Sequence, residues 1–152
     1  MKHCLKNIIL IFCGLIFLPA ILFPQEKNFL NKLHHEKIVT QEKRVFSEIE
    51  NDFAEGSVGK ISNLFNAQTY FSLSNGVSGY YSSNQAFYIL QEFFKIHQVI
   101  SFRFSNIYSD KNYPYATGNY FYEHKGKRES AKVFVALKRI GDHLKITQIT
   151  IN

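Results

Sequence analysis

Tryptophan is absent from the 152-residue chain, and methionine occurs only at the first position. The two cysteines, Cys4 and Cys13, both lie within the first two dozen residues. The rest of the chain therefore cannot form a disulfide or a thiolate metal site, and its stability must come from a packed core. Charged residues make up 20% of the chain and hydrophobic residues 45%, which excludes disordered, collagen-like and low-complexity proteins.

Chemical signatures are also missing, and we expect no metal, no cofactor and no catalytic residue. His34 and His35 would point apart on a helix, and no second cluster completes a metal site with them. His97 ends a predicted helix without a predictable partner carboxylate nearby. It is therefore interpreted as a histidine stabilised by the negative pole of that helix.

The N-terminus has the pattern of a secretory signal. Lys2 and Lys6 precede an apolar run over residues 8–23 that is interrupted only by one glycine and one proline. This run is shorter than the about 20 residues that a membrane-spanning helix needs. We expect residues 1–24 to be a signal peptide, or an anchor if it is not cleaved, and the protein to be exported to the periplasm or secreted.

The chain is basic, with a formal net charge of +6. Two of its 18 basic residues lie in residues 1–24, which leaves 16 against 12 acidic residues, a net charge of +4. Basic residues cluster over residues 125–145, which favours either an anionic partner or a solvated strand face. For an exported protein the solvated face is the preferred interpretation. We expect no nucleic-acid partner and no membrane contact beyond the N-terminal segment.

Three segments have helical periodicity. The first covers residues 43–56, and a shorter one covers residues 58–65. The third begins at Ser82, where Gln85 three residues later completes a capping box. Residues 25–42 are polar and form either a short helix or a loose arm.

Strands alternate with these helices and dominate the C-terminal half. Residues 70–81 predict a hairpin around Asn75 and Gly76, a dipeptide that favours the two positive φ angles of a tight turn. Four further strands are predicted over residues 99–108, 115–123, 128–139 and 143–151. The order α-α-β-β-α-β-β-β-β predicts a single α+β domain over residues 43–152, with three helices against a curved antiparallel sheet.

Several short segments carry a resemblance to known proteins. They are residues 53–57, 81–86, 92–94, 101–102 and 146–151, together with Gly118. With these segments, the chain from about residue 44 to residue 151 resembles a family of small exported Bacteroidetes proteins of unknown function. The element order resembles the cone-shaped fold of cystatin-like and nuclear transport factor 2-like domains. The resemblance implies this fold and export, and it carries over no catalytic residues.

Candidate ligand-binding residues come from the strands. All nine tyrosines lie between residues 70 and 122, which indicates an aromatic interior that is either packed or encloses a pocket. Strict alternation places Asn106, Tyr108 and Tyr120 in phase with inward-facing aromatic residues. Gly118 has no side chain, so a ligand or a neighbouring ring can approach the sheet there.

The sequence favours an exported, non-enzymatic binding or interaction module of unknown specificity. It would bind a small apolar ligand inside the cone or a protein partner on the sheet face, including a second copy in a homodimer. The alternative is an acid–base enzyme of the isomerase or dehydratase type, since enzymes that resemble this fold place ionisable groups in the cone. A third interpretation is a basic surface module for anionic polymers.

Overall fold

The computed structural model describes residues 24–152, with side chains from Lys27 onward. The predicted signal segment, apart from Pro24, and both cysteines lie outside the described residues. The chain divides into two compact units, residues 1–37 and residues 38–152. In the first unit every described side chain is exposed. Within the described residues, no helix is both long and apolar enough to cross a membrane.

Two α-helices, one short 3₁₀ helix and six strands make up the described residues. The helices are α1 (Pro24–Glu55), the 3₁₀ helix (Ile61–Leu64) and α2 (Ser83–Ile96). The strands are β1 (Phe65–Leu73), β2 (Ser78–Ser82), β3 (Gln98–Tyr108), β4 (Tyr115–His124), β5 (Lys127–Ile140) and β6 (His143–Ile151).

The prediction of three helices is not confirmed, since the described residues contain two α-helices. Residues 25–42, which were compatible with an arm or a short helix, belong to the same helix as residues 43–55. Neither glycine nor proline occurs between residues 25 and 55, so nothing in the sequence interrupts this helix.

The second predicted helix is reduced to the 3₁₀ helix because tertiary interactions override its periodicity. The buried Asp52 carboxylate accepts hydrogen bonds from the backbone N–H groups of Lys60 (2.7 Å) and Ile61 (2.9 Å). Strand β1 then starts at Phe65, which pairs with Ile146 of β6. Both ends of the segment are therefore fixed by other parts of the fold.

Helix α2 confirms its predicted start and its capping box. The Ser82 hydroxyl accepts a hydrogen bond from the Gln85 N–H, and the Gln85 Oε1 accepts one from the Ser82 N–H at 3.0 Å. The helix ends where the His97 N–H donates to the Phe93 carbonyl at 2.9 Å. Its buried face consists of Ala86, Leu90, Phe93 and Phe94, which recur at helical spacing.

The six strands form one sheet in the order β2-β1-β6-β5-β4-β3. Strands β3 to β6 form the predicted antiparallel meander. The sheet is not antiparallel throughout, because β1 pairs with β6 in parallel, with Phe71 beside Ile149. Helix α2 carries the chain from the β2 edge of the sheet to the opposite edge. The meander then returns toward β1, and its last strand, β6, runs in the same direction as β1.

The β1–β2 hairpin is confirmed, but its turn differs from the predicted one. The Gly76 N–H donates to the Leu73 carbonyl at 3.0 Å, and Gly76 has a φ of 92°, whereas Asn75 has no positive φ. The connection is therefore a three-residue loop with glycine at the left-handed position. The tight turn with two positive φ angles joins β4 to β5 instead, at Lys125 (51°) and Gly126 (74°).

Alternation along the strands gives the sheet two faces. The inner face packs against α2 and residues 38–55 of α1, and it carries buried side chains such as Ala116 and Tyr120 of β4. The outer face carries the alternate positions, such as Asn119 and Phe121. Strand register extends both faces across the sheet, so each paired residue of these strands can be assigned to one of them.

Candidate functional site

Aromatic rings fill the space between the helices and the inner face. The Phe53 ring lies 5.0 Å from the rings of Phe94 and Phe102, and the Phe46 ring lies 5.6 Å from that of Phe104. All five side chains are buried. Of the two interiors that the sequence allowed, this arrangement corresponds to the packed one.

Tyr120 is part of this packed interior and has a structural role. Its side chain is fully buried, and its hydroxyl donates a hydrogen bond to the His97 carbonyl at 2.7 Å. Burial raises the pKa of Tyr120 well above its ordinary value, with a smaller contribution from Tyr122. The hydroxyl therefore stays protonated and stabilises the end of α2.

Gly118 lies on the inner face where β3 comes very close to β4. A β-carbon at this position would lie 2.6 Å from the Arg103 carbonyl oxygen and 2.9 Å from Cε2 of Phe102. A neighbouring ring does approach the sheet here, as predicted, but no side chain fits at position 118. A larger residue would therefore disturb β3 and would not fill a cavity.

Gly118→Ala should lower the free energy of unfolding by about 1–3 kcal/mol, because the added methyl group clashes with backbone atoms of β3. Urea denaturation of the wild type and the variant measures this loss. Gly59→Ala is the control, since its β-carbon meets only the Ser57 hydroxyl at 3.5 Å and should change stability by less than about 0.5 kcal/mol. Equal stability of the two variants would contradict the prediction.

A β-bulge in β3 moves two of the predicted residues to the other face. Phe104 pairs with Gly118, but Asn106 pairs with Thr117, so Ser105 is an extra residue in β3. An extra residue reverses the face of everything that follows it. The prediction that Asn106 and Tyr108 share a face with the inward aromatic residues is therefore wrong, and both lie on the outer face.

Asn106 and the backbone of Gly118 nevertheless line one pocket, which has a volume of 360 Å³. It opens on the outer face over β3, β4, β5 and β6, and we call it the outer-face pocket. Its lining residues are Ser105, Asn106, Thr117, Gly118, Asn119, Lys132, Val133, Phe134, Thr150 and Asn152.

Some polar side chains of the outer-face pocket are hydrogen-bonded to one another, and others have no such bond within the described residues. The Lys132 Nζ donates to Oδ1 of Asn119 at 2.5 Å, and Nδ2 of Asn119 donates to the Ser105 hydroxyl at 3.0 Å. The side chains of Asn106 and Thr117 make no hydrogen bond to any other residue of the described range 27–152. An amide and a hydroxyl are therefore available to a ligand.

Aromatic side chains continue from the pocket across the outer face. Phe134 lines the pocket, its ring lies 5.5 Å from that of Tyr115, and Tyr115 stacks on Tyr108 at 4.5 Å. Tyr108 is therefore not a lining residue of the pocket, and it is connected to the lining residue Phe134 through Tyr115. On the other side of Asn119, a second cavity of 480 Å³ is lined by Ser101, Phe102, Arg103, Phe104, Ser105, Asn119 and Phe121.

The C-terminal end of α2 carries a cluster of ionisable groups that the sequence analysis missed. The buried His97 ring stacks on Phe93, with 4.2 Å between the ring centroids. The ring centroid of His124 lies 4.8 Å from that of His97. The Tyr122 hydroxyl donates to Oε2 of Glu129 at 3.1 Å. A two-residue turn after His124 places Tyr122 opposite Glu129, so the length of this turn is the signal that the sequence carries for the pair.

The side chains of this cluster contact one another and the backbone at the end of α2. No three carboxylate, histidine or cysteine side chains among the described residues converge on a metal position. Nδ1 of His97 lies 3.0 Å from the Phe93 carbonyl, so one ring nitrogen is already engaged. Burial lowers the pKa of His97, the Phe93 carbonyl raises it, His124 lowers it and Glu129 raises it, with a net lowering.

The lowered pKa of His97 predicts that the protein loses stability in mild acid. The unfolded chain binds a proton at this residue more readily than the folded chain, so stability falls as the pH drops through the ordinary histidine value of 6.5. His97→Gln should reduce this dependence when unfolding is measured at pH values above and below 6.5. His143→Gln, at an exposed position, should keep the wild-type dependence. Identical pH dependence in all three proteins would contradict the assignment.

A buried ion pair lies between α1 and the β5–β6 hairpin. Oε1 of the fully buried Glu42 lies 3.5 Å from Nη2 of Arg139, and neither Glu42 oxygen has a hydrogen-bond partner among the described residues. Nη1 of Arg139 donates to Oε1 of Gln41 at 2.5 Å, and Nε donates to the Lys111 carbonyl at 3.0 Å. Arg139 therefore does not belong to the solvated basic face, contrary to the preferred interpretation of residues 125–145.

The fold is that of nuclear transport factor 2-like α+β proteins. The designed protein "Rd1NTF2_04 with long sheet" superposes with a TM-score of 0.60 at 14% identity, covering 73% of this chain and 99% of that chain. A comparison of the sequence with protein families identifies one family within this fold class. A family model described as Domain of unknown function (DUF4783) matches residues 46–152, and the chain belongs to this family.

Crystal structures of two proteins of the same family agree with this assignment. A protein from Bacteroides ovatus is 20% identical, has a TM-score of 0.61, and is matched over 68% of this chain and 89% of its own. A protein from Bacteroides uniformis is 17% identical, has a TM-score of 0.63, and is matched over 68% and 92%. A search of curated proteins gave no match. The resemblance stated from the sequence is thus confirmed at the level of family and fold.

Proposed function

We propose that the chain is an exported, non-enzymatic binding module whose site is the outer-face pocket. The observation that carries this proposal is the pair of polar side chains, Asn106 and Thr117, that line the pocket and form no hydrogen bond with other described residues. Polar groups that converge on a concave surface are typical of ligand sites. Export is supported by Lys2, Lys6 and the apolar run that follows them.

The interior is a weaker candidate for a ligand site. An apolar ligand in the cone would have to displace rings that contact one another at 5.0–5.6 Å, and burial of those rings stabilises the domain. An acid–base enzyme would need an ionisable group directed into a cavity, whereas His97 is stacked and hydrogen-bonded. These contacts favour binding at the outer face over both interior alternatives.

Nuclear magnetic resonance of the purified, isotope-labelled protein tests the proposal. A mixture of small hydroxylated compounds and a mixture of small hydrocarbons are titrated separately. We expect the hydroxylated compounds to shift the backbone amide signals of Asn106, Thr117 and Asn119. Shifts confined to inner residues such as Leu90 and Phe94, caused by the hydrocarbons, would contradict the proposal.

A matched pair of variants separates the pocket from general surface effects. Asn106→Ala removes an amide that lines the pocket, and it should reduce the shifts caused by the hydroxylated compounds. Asn63→Ala removes an exposed amide from the 3₁₀ helix, outside the pocket, and it should leave them unchanged. Equal effects of the two substitutions would count against the outer-face pocket.

A further inference from the structure

The outer face carries a row of polar and charged residues that crosses three strands. Arg103 of β3 pairs with Asn119 of β4, and Asn119 pairs with Lys132 of β5. Because neighbouring strands lie about 4.8 Å apart, the Cα atoms of Arg103 and Lys132 are about 10 Å apart with Asn119 between them. Neither cation forms a salt bridge within the described residues 27–152. Two uncompensated positive charges therefore flank one amide.

The whole outer face has an excess of positive charge. Its only carboxylate at a described strand position is Glu123, which pairs with Arg128. The strand register places five cations on this face: Arg103, Arg128, Lys132, Lys138 and Lys145. A second copy of the chain bound through this face would bring like charges together, which disfavours a homodimer here. An anionic partner is complementary to the face.

Two aromatic rings lie on either side of the charged row. Phe134 lines the outer-face pocket, and Phe121, whose side chain is 48% exposed, lines the second cavity. Thr117, which pairs with Phe134, is four residues from Phe121 along β4, a distance of about 14 Å. The two cavities share Ser105 and Asn119, so they adjoin each other. The surface is therefore a trough with an aromatic ring near each end and cations between them.

This combination favours a polymer of polar rings that carry negative charges. Sugar rings pack their apolar faces on aromatic side chains, and their hydroxyl groups exchange hydrogen bonds with amides and hydroxyls such as Asn106 and Thr117. Carboxylates on such rings would pair with Arg103 and Lys132. A fatty chain fits poorly, because it would leave these polar groups without partners.

We propose that the trough formed by the outer-face pocket and the second cavity binds an acidic polysaccharide. The inference rests on the proposed function, since it names the ligand class of the same site. The signal-like N-terminus favours a polymer outside the cytoplasm over a nucleic acid, which has similar charge and also carries rings.

The experiment is a calorimetric titration of the purified protein with polygalacturonate, with dextran as the neutral polymer and a single-stranded oligothymidylate as the nucleic acid. We expect polygalacturonate to bind, with an affinity that falls as sodium chloride is raised, and dextran to bind more weakly. Lys132→Ala should weaken binding about tenfold, since it removes one charge-assisted contact. Arg103→Gln should act in the same direction.

Lys125→Ala is the matched control, because it removes the same charge at the β4–β5 turn, outside both cavities. Equal weakening by Lys125→Ala and Lys132→Ala would overturn the inference in favour of unspecific attraction. Tighter binding of dextran or of the oligothymidylate would overturn the acidic polysaccharide as ligand class.

Amide signals recorded during the polygalacturonate titration distinguish failure of this inference from failure of the proposed function. No shift with polygalacturonate, while small hydroxylated compounds still shift Asn106 and Asn119, would overturn only the ligand class. Shifts at Leu90 and Phe94 in both titrations would overturn the ligand class and the outer-face site together. Thermal unfolding of each variant confirms that the substitutions at these exposed positions leave the fold intact.

Discussion

Arg139→Met should lower the free energy of unfolding by about 3–5 kcal/mol, as expected when one partner of a buried ion pair is removed. The Glu42 carboxylate is fully buried, and Arg139 is its only charged partner within the described residues. Methionine fills a similar volume but leaves that carboxylate in the interior without a counter-charge. Urea denaturation of the two proteins measures the difference.

Two further variants test the cause of this loss. Combining Glu42→Leu with Arg139→Met removes both charges, and stability should return to within about 1 kcal/mol of the wild type or exceed it. Arg128→Met removes an exposed arginine of the same strand and should have an effect below about 0.5 kcal/mol. If the double variant is as unstable as Arg139→Met, the loss comes from packing and from the hydrogen bonds of Arg139 to Gln41 and Lys111, and not from the unpaired charge.

Phe94→Ala should also cost about 3–5 kcal/mol, the range for emptying a buried phenyl site. The Phe94 side chain is 4% exposed, and its ring contacts those of Phe53 at 5.0 Å and Tyr120 at 5.9 Å. Domains of this size are stable by only about 5–15 kcal/mol, so the variant would lose a large share of its stability.

Tyr88→Ala is the control for Phe94→Ala on the same helix, because the Tyr88 side chain is 60% exposed. It should lose much less stability than Phe94→Ala when both are unfolded in urea. A loss below about 1 kcal/mol for Phe94→Ala would contradict the packed interior. The comparison also tests which face of α2 is buried.

Features that depend on neighbouring residues could be predicted from the sequence. The capping box at Ser82 and Gln85 and the four meander strands agree with the structure, the strands to within one residue at each end. In each case, side-chain alternation or a hydrogen bond over three residues supplies the signal. No local pattern signals the parallel pairing of β1 with β6. This pairing depends on the edge of the sheet at which the chain emerges from α2.

The candidate site shows the same distinction between local and distant causes. Asn106 and the backbone of Gly118 do line one pocket, but this pocket lies on the outer face. Alternation alone cannot reveal the extra residue Ser105, which moves Asn106 to that face. Asn119 and Lys132 were missed because their proximity depends on the register between two strands. The length of the turn at Lys125 and Gly126 sets that register, because a two-residue turn there places Glu123 opposite Arg128.

The bulge in β3 has a consequence for how the protein behaves at high concentration. Strand β3 forms one edge of the sheet, and an edge strand of 11 residues exposes backbone groups that can pair with another chain. Here the Phe104 N–H donates to Oε2 of Glu50 at 2.8 Å, and the register shifts at two places along the strand. A carboxylate in the pairing position and an irregular edge oppose strand addition, so β3 resists the edge-to-edge association that starts fibril growth.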